Sequence, residues 1–197
     1  MQQIKYRIMR TIEKQLYTFD ELNDKAKAKA LEKHNESFEF FGGDEILETI
    51  KKGLEHFDFK LNNYSIDWTN ANRSSWSIED QNIGYDEDGD VTELAQEDLA
   101  EYFKNNTYYC VYQKKIRNTF EGNCPFTGVC YDEDFLDPIR KFITKPTNIT
   151  FKELIDECIY NVLVAGEKEY DYQTSEAYFI EDCEANDYEF YEDGTMY

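Results

Sequence analysis

The stretch 167–197 reads EKEYDYQTSEAYFIEDCEANDYEFYEDGTMY. It holds eleven carboxylates and one cation, Lys168, with six tyrosines and two phenylalanines threaded between them. An acidic segment without aromatics buries too little apolar surface to offset the entropy lost on ordering, and stays unfolded. Eight rings remove that obstacle. The carboxylates are therefore expected on the outside of a folded element, with the rest of the chain as a scaffold for an acidic face.

The charge is regional. Residues 1–60 carry 11 Lys+Arg against 12 Asp+Glu, residues 61–197 carry 10 against 30, and the whole chain is at −21. Solubility alone asks for a net charge of only about 2–8 in a small domain. Phosphates repel such a surplus, which argues against free nucleic acid and anionic membrane and for a basic partner. With 197 residues, 41% hydrophobic and 16% aromatic, the chain suits one compact domain with a near-neutral 1–60 half and an acidic 61–197 half. MQQIKYRIMRTIEK lacks an apolar leader core, and no apolar run approaches ~18 residues. Cys110, Cys124, Cys130, Cys158 and Cys183 are odd in number and scattered, so they read as reduced thiols of a cytoplasmic protein.

The hydrophobic pattern predicts an α+β fold, mostly antiparallel sheet with several flanking helices. Residues 3–19 alternate, which predicts a long strand. Asp20 caps a helix over 20–35, with Leu22, Ala26, Ala30 and Leu31 inward. Lys25, Lys29 and Lys33 stack on one of its faces, either solvated or met by acids of the same or another copy, the latter giving a homodimer. Asp44 caps a second helix through Ile46, Leu47, Ile50 and Leu54. Strands at 57–68 and 73–79 form a hairpin whose Trp68 and Trp76 pack inward. Asp90 with Glu93 reads as a capping box opening a helix to about 104. A strand at 107–118 and a loop over 119–131 follow. Next come a short helix over 132–144 around Pro138, and a helix opened by a Thr150–Glu153 capping box. The latter carries Leu154, Ile155, Cys158, Ile159, Val162 and Leu163. Ser175 or Thr174 caps a last helix to Asn186, and YEFYEDG closes as an edge strand.

Catalytic and metal signals are weak. Residues 86–97 place acids at positions one, three, five and twelve of a calcium loop, but Val91 stands where the turn needs glycine. Cys124 and Cys130 have the wrong spacing for zinc, and His34 and His56 lie far from them. No nucleophile has a base beside it and no phosphate-binding glycine loop is present. The expectation is a protein without catalysis, metal or cofactor.

Surface electrostatics remain. Duplex DNA carries one charge per ~1.7 Å of axis, so a charge of about −20 matches roughly 10 base pairs. Acids two apart on a strand lie ~6.6 Å apart, and acids one turn apart on a helix about 6 Å, near two phosphate steps. Asp187 and Glu189 have the strand spacing. Glu181 and Glu184, or Glu93 and Glu97, have the helical one. The candidate partner-binding residues are Asp86, Glu87, Asp88, Asp90, Glu93 and Glu97, together with Glu181, Asp182, Glu184, Asp187, Glu189, Glu192 and Asp193. The acidic region also takes in 132–137.

Three segments carry a resemblance: LYTFDELNDKAKAKALEKH, the hairpin YSIDWTNANRSSWSI, and YQTSEAYFIEDCEANDYEFYEDG. The first resembles the "DELSEEAKEKAL" start, and the last the "TSDEAIIEDIEANEYEFTEDG" close, of a family of small acidic phage and prophage proteins. The likeness covers both ends, roughly a third of the chain. Asn70-Ala71-Asn72-Arg73 replaces the family's glycine-rich turn, and the middle, about 80–165, does not align. The resemblance implies a phage accessory protein. Phages use small acidic proteins as anti-CRISPR and anti-restriction inhibitors, some of them DNA mimics. It also implies that the EANDYEFYEDG ending is in part a folding element. The expected partner is then a basic nucleic-acid-binding host protein, a CRISPR nuclease or restriction enzyme. The other reading is an antitoxin-like regulatory protein whose acidity is incidental.

Overall fold

The structure is a computed structural model, and it describes residues 13–81, 85–86, 89–90, 94, 96–105, 126–128 and 131–197. The fold is α+β, with helix dominant and a small antiparallel sheet. The chain forms two compact units, Met1–Glu39 with Tyr172–Tyr197, and Phe40–Asp171. Each has its own hydrophobic core.

In the larger unit, α2 (Gly43–His56) turns Ile46, Ile50 and Leu54 inward at helical spacing. Its N-cap is Gly42, at φ 115°, and not Asp44, which stands in the first turn. The chain enters this helix through a left-handed residue, which glycine adopts without penalty. β1 (Phe59–Ser65) pairs antiparallel with β2 (Ser75–Asp80) as the expected hairpin, with a bulge between Leu61 and Tyr64. Both tryptophans pack against the core, and the Trp76 indole donates to Asp156 Oδ1 at 2.8 Å. β3 (Tyr85–Asp86) and β4 (Gly89–Asp90) form a second short antiparallel ladder. Asp90 is therefore a strand residue and not a helix cap, and α3 runs later than expected, over Gln96–Asn105. The expected strand at 107–118, most of the 119–131 loop, and Cys110, Cys124 and Cys130 lie outside the described residues.

α4 (Tyr131–Thr144) contains Pro138. Proline has no N–H, so the carbonyl four residues earlier loses its helical donor. That carbonyl, of Asp134, accepts a 2.7 Å hydrogen bond from Asn161 Nδ2 on α5 (Phe151–Gln173). The Thr150–Glu153 box opening α5 forms as expected, with Glu153 Oε2 accepting from Thr150 N at 2.7 Å and Thr150 Oγ1 accepting from Glu153 N. Leu154, Ile155, Cys158, Ile159, Val162 and Leu163 are buried along it.

The smaller unit is built on α1 (Asp24–Glu36) and α6 (Glu176–Ala185). The cap of α1 is Asn23, whose Oδ1 accepts from Lys25 N and Ala26 N, each at 3.1 Å. Asp20, expected to cap it, instead lies in the 3₁₀ turn Phe19–Glu21. Leu22, Ala26 and Ala30 do face inward. Their partners are Phe19, Phe179, Cys183 and Phe190, with Phe19–Phe179 centroids 5.2 Å apart edge to face. The strand expected over 3–19 shrinks, within its described part, to one bridge, Tyr17 with Phe190. Phe190 also bridges Met196, so the expected edge strand is a single residue with two neighbours.

Candidate acidic face and cleft

The smaller unit carries the second group of candidate residues. Ser175 caps α6, accepting from Tyr178 N. The helix stops at Asn186, Asp187 adopts φ 52°, and Tyr188 N bonds back to Cys183 O at 3.0 Å. This is a left-handed helix stop, usually taken by glycine or asparagine. It means that Asp187 and Glu189 do not share an extended strand, so their expected strand-type spacing is not met. Glu181 and Glu184 do lie one turn apart on α6.

Several of these acids have local partners. Glu181 Oε2 accepts from the Tyr172 hydroxyl at 2.8 Å, and Asp182 Oδ1 accepts from Asn186 Nδ2 at 2.9 Å. Lys29 Nζ meets Asp193 Oδ2 at 2.6 Å, which places one lysine of the α1 stripe on an acid of the same chain. Lys29, first, and the Thr195 backbone N–H hold the Asp193 carboxyl down at about 2 instead of 3.8. A depressed carboxyl contributes stability above its unfolded pKa, and that contribution is lost as pH falls through the folded one. Acid unfolding of the smaller unit should thus steepen between 3.8 and about 2, and Lys29→Met should reduce that component to what the Thr195 N–H sustains. An NMR titration of Asp193 that stays near 3.8 in the wild type would contradict the pairing.

Glu184, Asp187, Glu189 and Glu192 are exposed, and so is Glu181. Among the described residues none of the five takes part in an ion pair. Between the 3₁₀ turn and the end of α6 is a half-open cleft of about 350 Å³. Phe19 and Cys183 are buried in its floor, and Ile180 and Tyr188 form half-buried walls. Asp20, Glu184, Asp187 and Glu189 stand at its rim. Burial, and then the Asp182 carboxylate, push the Cys183 thiol up to about 11, so it stays protonated at neutral pH. The cleft drew no notice in the sequence, because its two sides are about 160 residues apart and no local pattern links them.

The first group is less fully described. Asp86 and Asp90 lie on the short β3–β4 ladder, Glu97 is exposed in the first turn of α3, and Glu87, Asp88 and Glu93 lie outside the described residues. Among the described residues no cluster of three or more metal-type ligands occurs, and no helix is long and apolar enough to cross a membrane. Asp132, counted with the acidic region, is fully buried and makes no surface charge. Asp134 is half-buried, and that burial raises its carboxyl pKa. Cys158 is enclosed in the core, which pushes its thiol well above the usual range. Partial burial lowers the pKa of His56, whose ring packs on Phe57 and Phe126. No protein-family model, curated protein or solved structure matches the chain.

Proposed function

We propose that this chain is a phage-encoded inhibitor of a host nucleic-acid-targeting defence enzyme, a CRISPR effector or a restriction enzyme, working in the bacterial cytoplasm. It acts by stoichiometric binding and not by catalysis, and needs no cofactor. Its acidic face enters the cationic channel that would hold DNA or RNA and competes with the phosphates there. The observation that supports this most is the run Glu181, Glu184, Asp187, Glu189 and Glu192, exposed around one helix and its stop without cations paired to it among the described residues. Carboxylates held on a folded surface are already ordered before binding, so little entropy is lost when a basic channel closes on them.

The test is capture of purified CRISPR and restriction nucleases on the immobilised protein at low and at ~0.5 M salt, with duplex DNA as competitor. A nuclease should bind at low salt, leave at high salt or with DNA, and lose cleavage at equimolar inhibitor. Glu184→Lys, Glu189→Lys and Glu192→Lys together should weaken it about 100-fold. Absence of any salt-sensitive nuclease partner would sink the proposal.

A second reading has its own support. Glu181, Asp182 and Asp193 each serve a contact inside the unit, as expected of a folding element in an antitoxin-like regulatory protein. A partner whose binding ignores the triple reversal favours that reading, because none of the three reversed residues makes those contacts.

A further inference from the structure

We propose that the cleft between the Phe19–Glu21 turn and the end of α6 is a pocket for a single arginine side chain of a protein partner. For the identity of that partner, the inference rests on the function proposed above.

Four exposed acidic residues, Asp20, Glu184, Asp187 and Glu189, are among those that line the cleft. The end of α6 adds to their field. Its last turn has no basic residue, and the last carbonyls of a helix carry negative partial charge that favours a cation. Asp187 is in the left-handed stop itself, so this helix ends on acids where a lysine or arginine would be the stabilising choice. A bound cation relieves that repulsion.

The interior narrows the cation to a guanidinium. Phe19, Ile180 and Tyr188 present apolar and ring surface, which suits a flat, weakly hydrated cation better than a compact ammonium. A hard metal ion would want oxygen on every side, and a phosphate would be repelled by the rim. The size, about 350 Å³, is near the lower end of ligand pockets, at roughly 300–1,000 Å³. That is room enough for one side chain. The forked donors of arginine can then span two rim carboxylates.

The test uses the full chain and three capped tripeptides, Gly-Arg-Gly, Gly-Lys-Gly and Gly-citrulline-Gly, followed by NMR shifts of the Ile180 methyls and the Tyr188 ring. The arginine peptide should shift both, the lysine peptide should bind several-fold more weakly, and the citrulline peptide should do nothing. Asp187→Asn keeps the left-handed stop and, combined with Glu184→Gln, should weaken arginine binding at least about tenfold. Glu45→Gln with Glu48→Gln, on α2, removes the same net charge and should leave it unchanged. The pocket is refuted if citrulline or lysine binds as well as arginine, if the α2 pair weakens binding equally, or if Asp187→Asn alone, folded, changes nothing. Nuclease capture separates the two proposals. Equal capture by the Glu184→Gln, Asp187→Asn protein removes the pocket and leaves the inhibitor. Specific arginine binding without any nuclease partner removes the inhibitor and leaves the pocket.

Discussion

Gly194→Ala is expected to unfold the smaller unit or leave it only marginally stable. Gly194 has φ 82°, and a Cβ built there would lie 2.1 Å from the carbonyl oxygen of Ala26 and 2.9 Å from its carbon. Backbone atoms inside α1 cannot rotate away as a flexible side chain would. The turn is also pinned from its own side, with Gly194 N bonded to Tyr191 O at 2.9 Å and Tyr191 N to Thr195 O at 2.8 Å. Left-handed backbone costs an alanine ~1–2 kcal/mol, and overpacking against an unyielding neighbour ~1–3 kcal/mol more. The sum, roughly 2–5 kcal/mol, is a large share of the 5–15 kcal/mol of a typical domain. Amide exchange should lose its protection in α1 and α6 while the central turns of α5 keep theirs. A Tm within about 2 °C of wild type would show that the close approach is wrong. Loss of arginine-peptide and nuclease binding should accompany the unfolding.

Asp132→Ala should have an effect of similar size in the larger unit. Asp132 is fully buried, and its carboxylate accepts four hydrogen bonds. Oδ2 takes Phe126 N at 2.7 Å and Thr127 N at 2.8 Å, while Oδ1 takes the hydroxyls of Thr127 at 2.8 Å and Thr49 at 3.2 Å. The residue thus ties the 126–127 backbone and α2 to the start of α4, where the helix dipole also favours a negative charge. Alanine strands the two part-buried N–H groups, at about 1–3 kcal/mol for each that finds no other partner, while the Thr49 and Thr127 hydroxyls, 3.2 Å apart, can still bond to each other. A loss of about 4 kcal/mol in denaturant unfolding is expected. Asp132→Asn should cost much less, about 1.5 kcal/mol. Its carbonyl can serve the two N–H groups while its amide donates to hydroxyls that rotate to accept. Equal effects of the two variants would rule out the hydrogen-bond account.

The features legible in the sequence are those whose cause lies within a few residues. The Thr150–Glu153 box, the Ser175 cap, the apolar face of α5 and the β1–β2 hairpin depend on contacts at short separation, and they form as the pattern predicts. The misread caps show the limit of the same logic. Asp20, Asp44 and Asp90 are all sound N-cap residues. Yet the chain starts its helices from Asn23 and Gly42, and keeps Asp90 in a strand. Where several capping residues are neighbours, each is worth about 1 kcal/mol, and the choice among them falls to the packing of Phe19, Leu22 and Ile46.

The acidic stretch divides in the same way. That 167–197 would fold with its charges outward was determined by its composition, since its rings provide a core and its carboxylates cannot be buried without partners. Which carboxylates are left exposed was decided by the tertiary structure alone. Lys29 and Asp193 are 164 residues apart, and Phe19 reaches Phe179 and Phe190 across most of the chain. Such pairings depend on where the helices come to rest, which no periodicity encodes. They join the 3₁₀ turn to the end of α6, neutralise Asp193, and leave Asp20, Glu184, Asp187 and Glu189 around an apolar cleft.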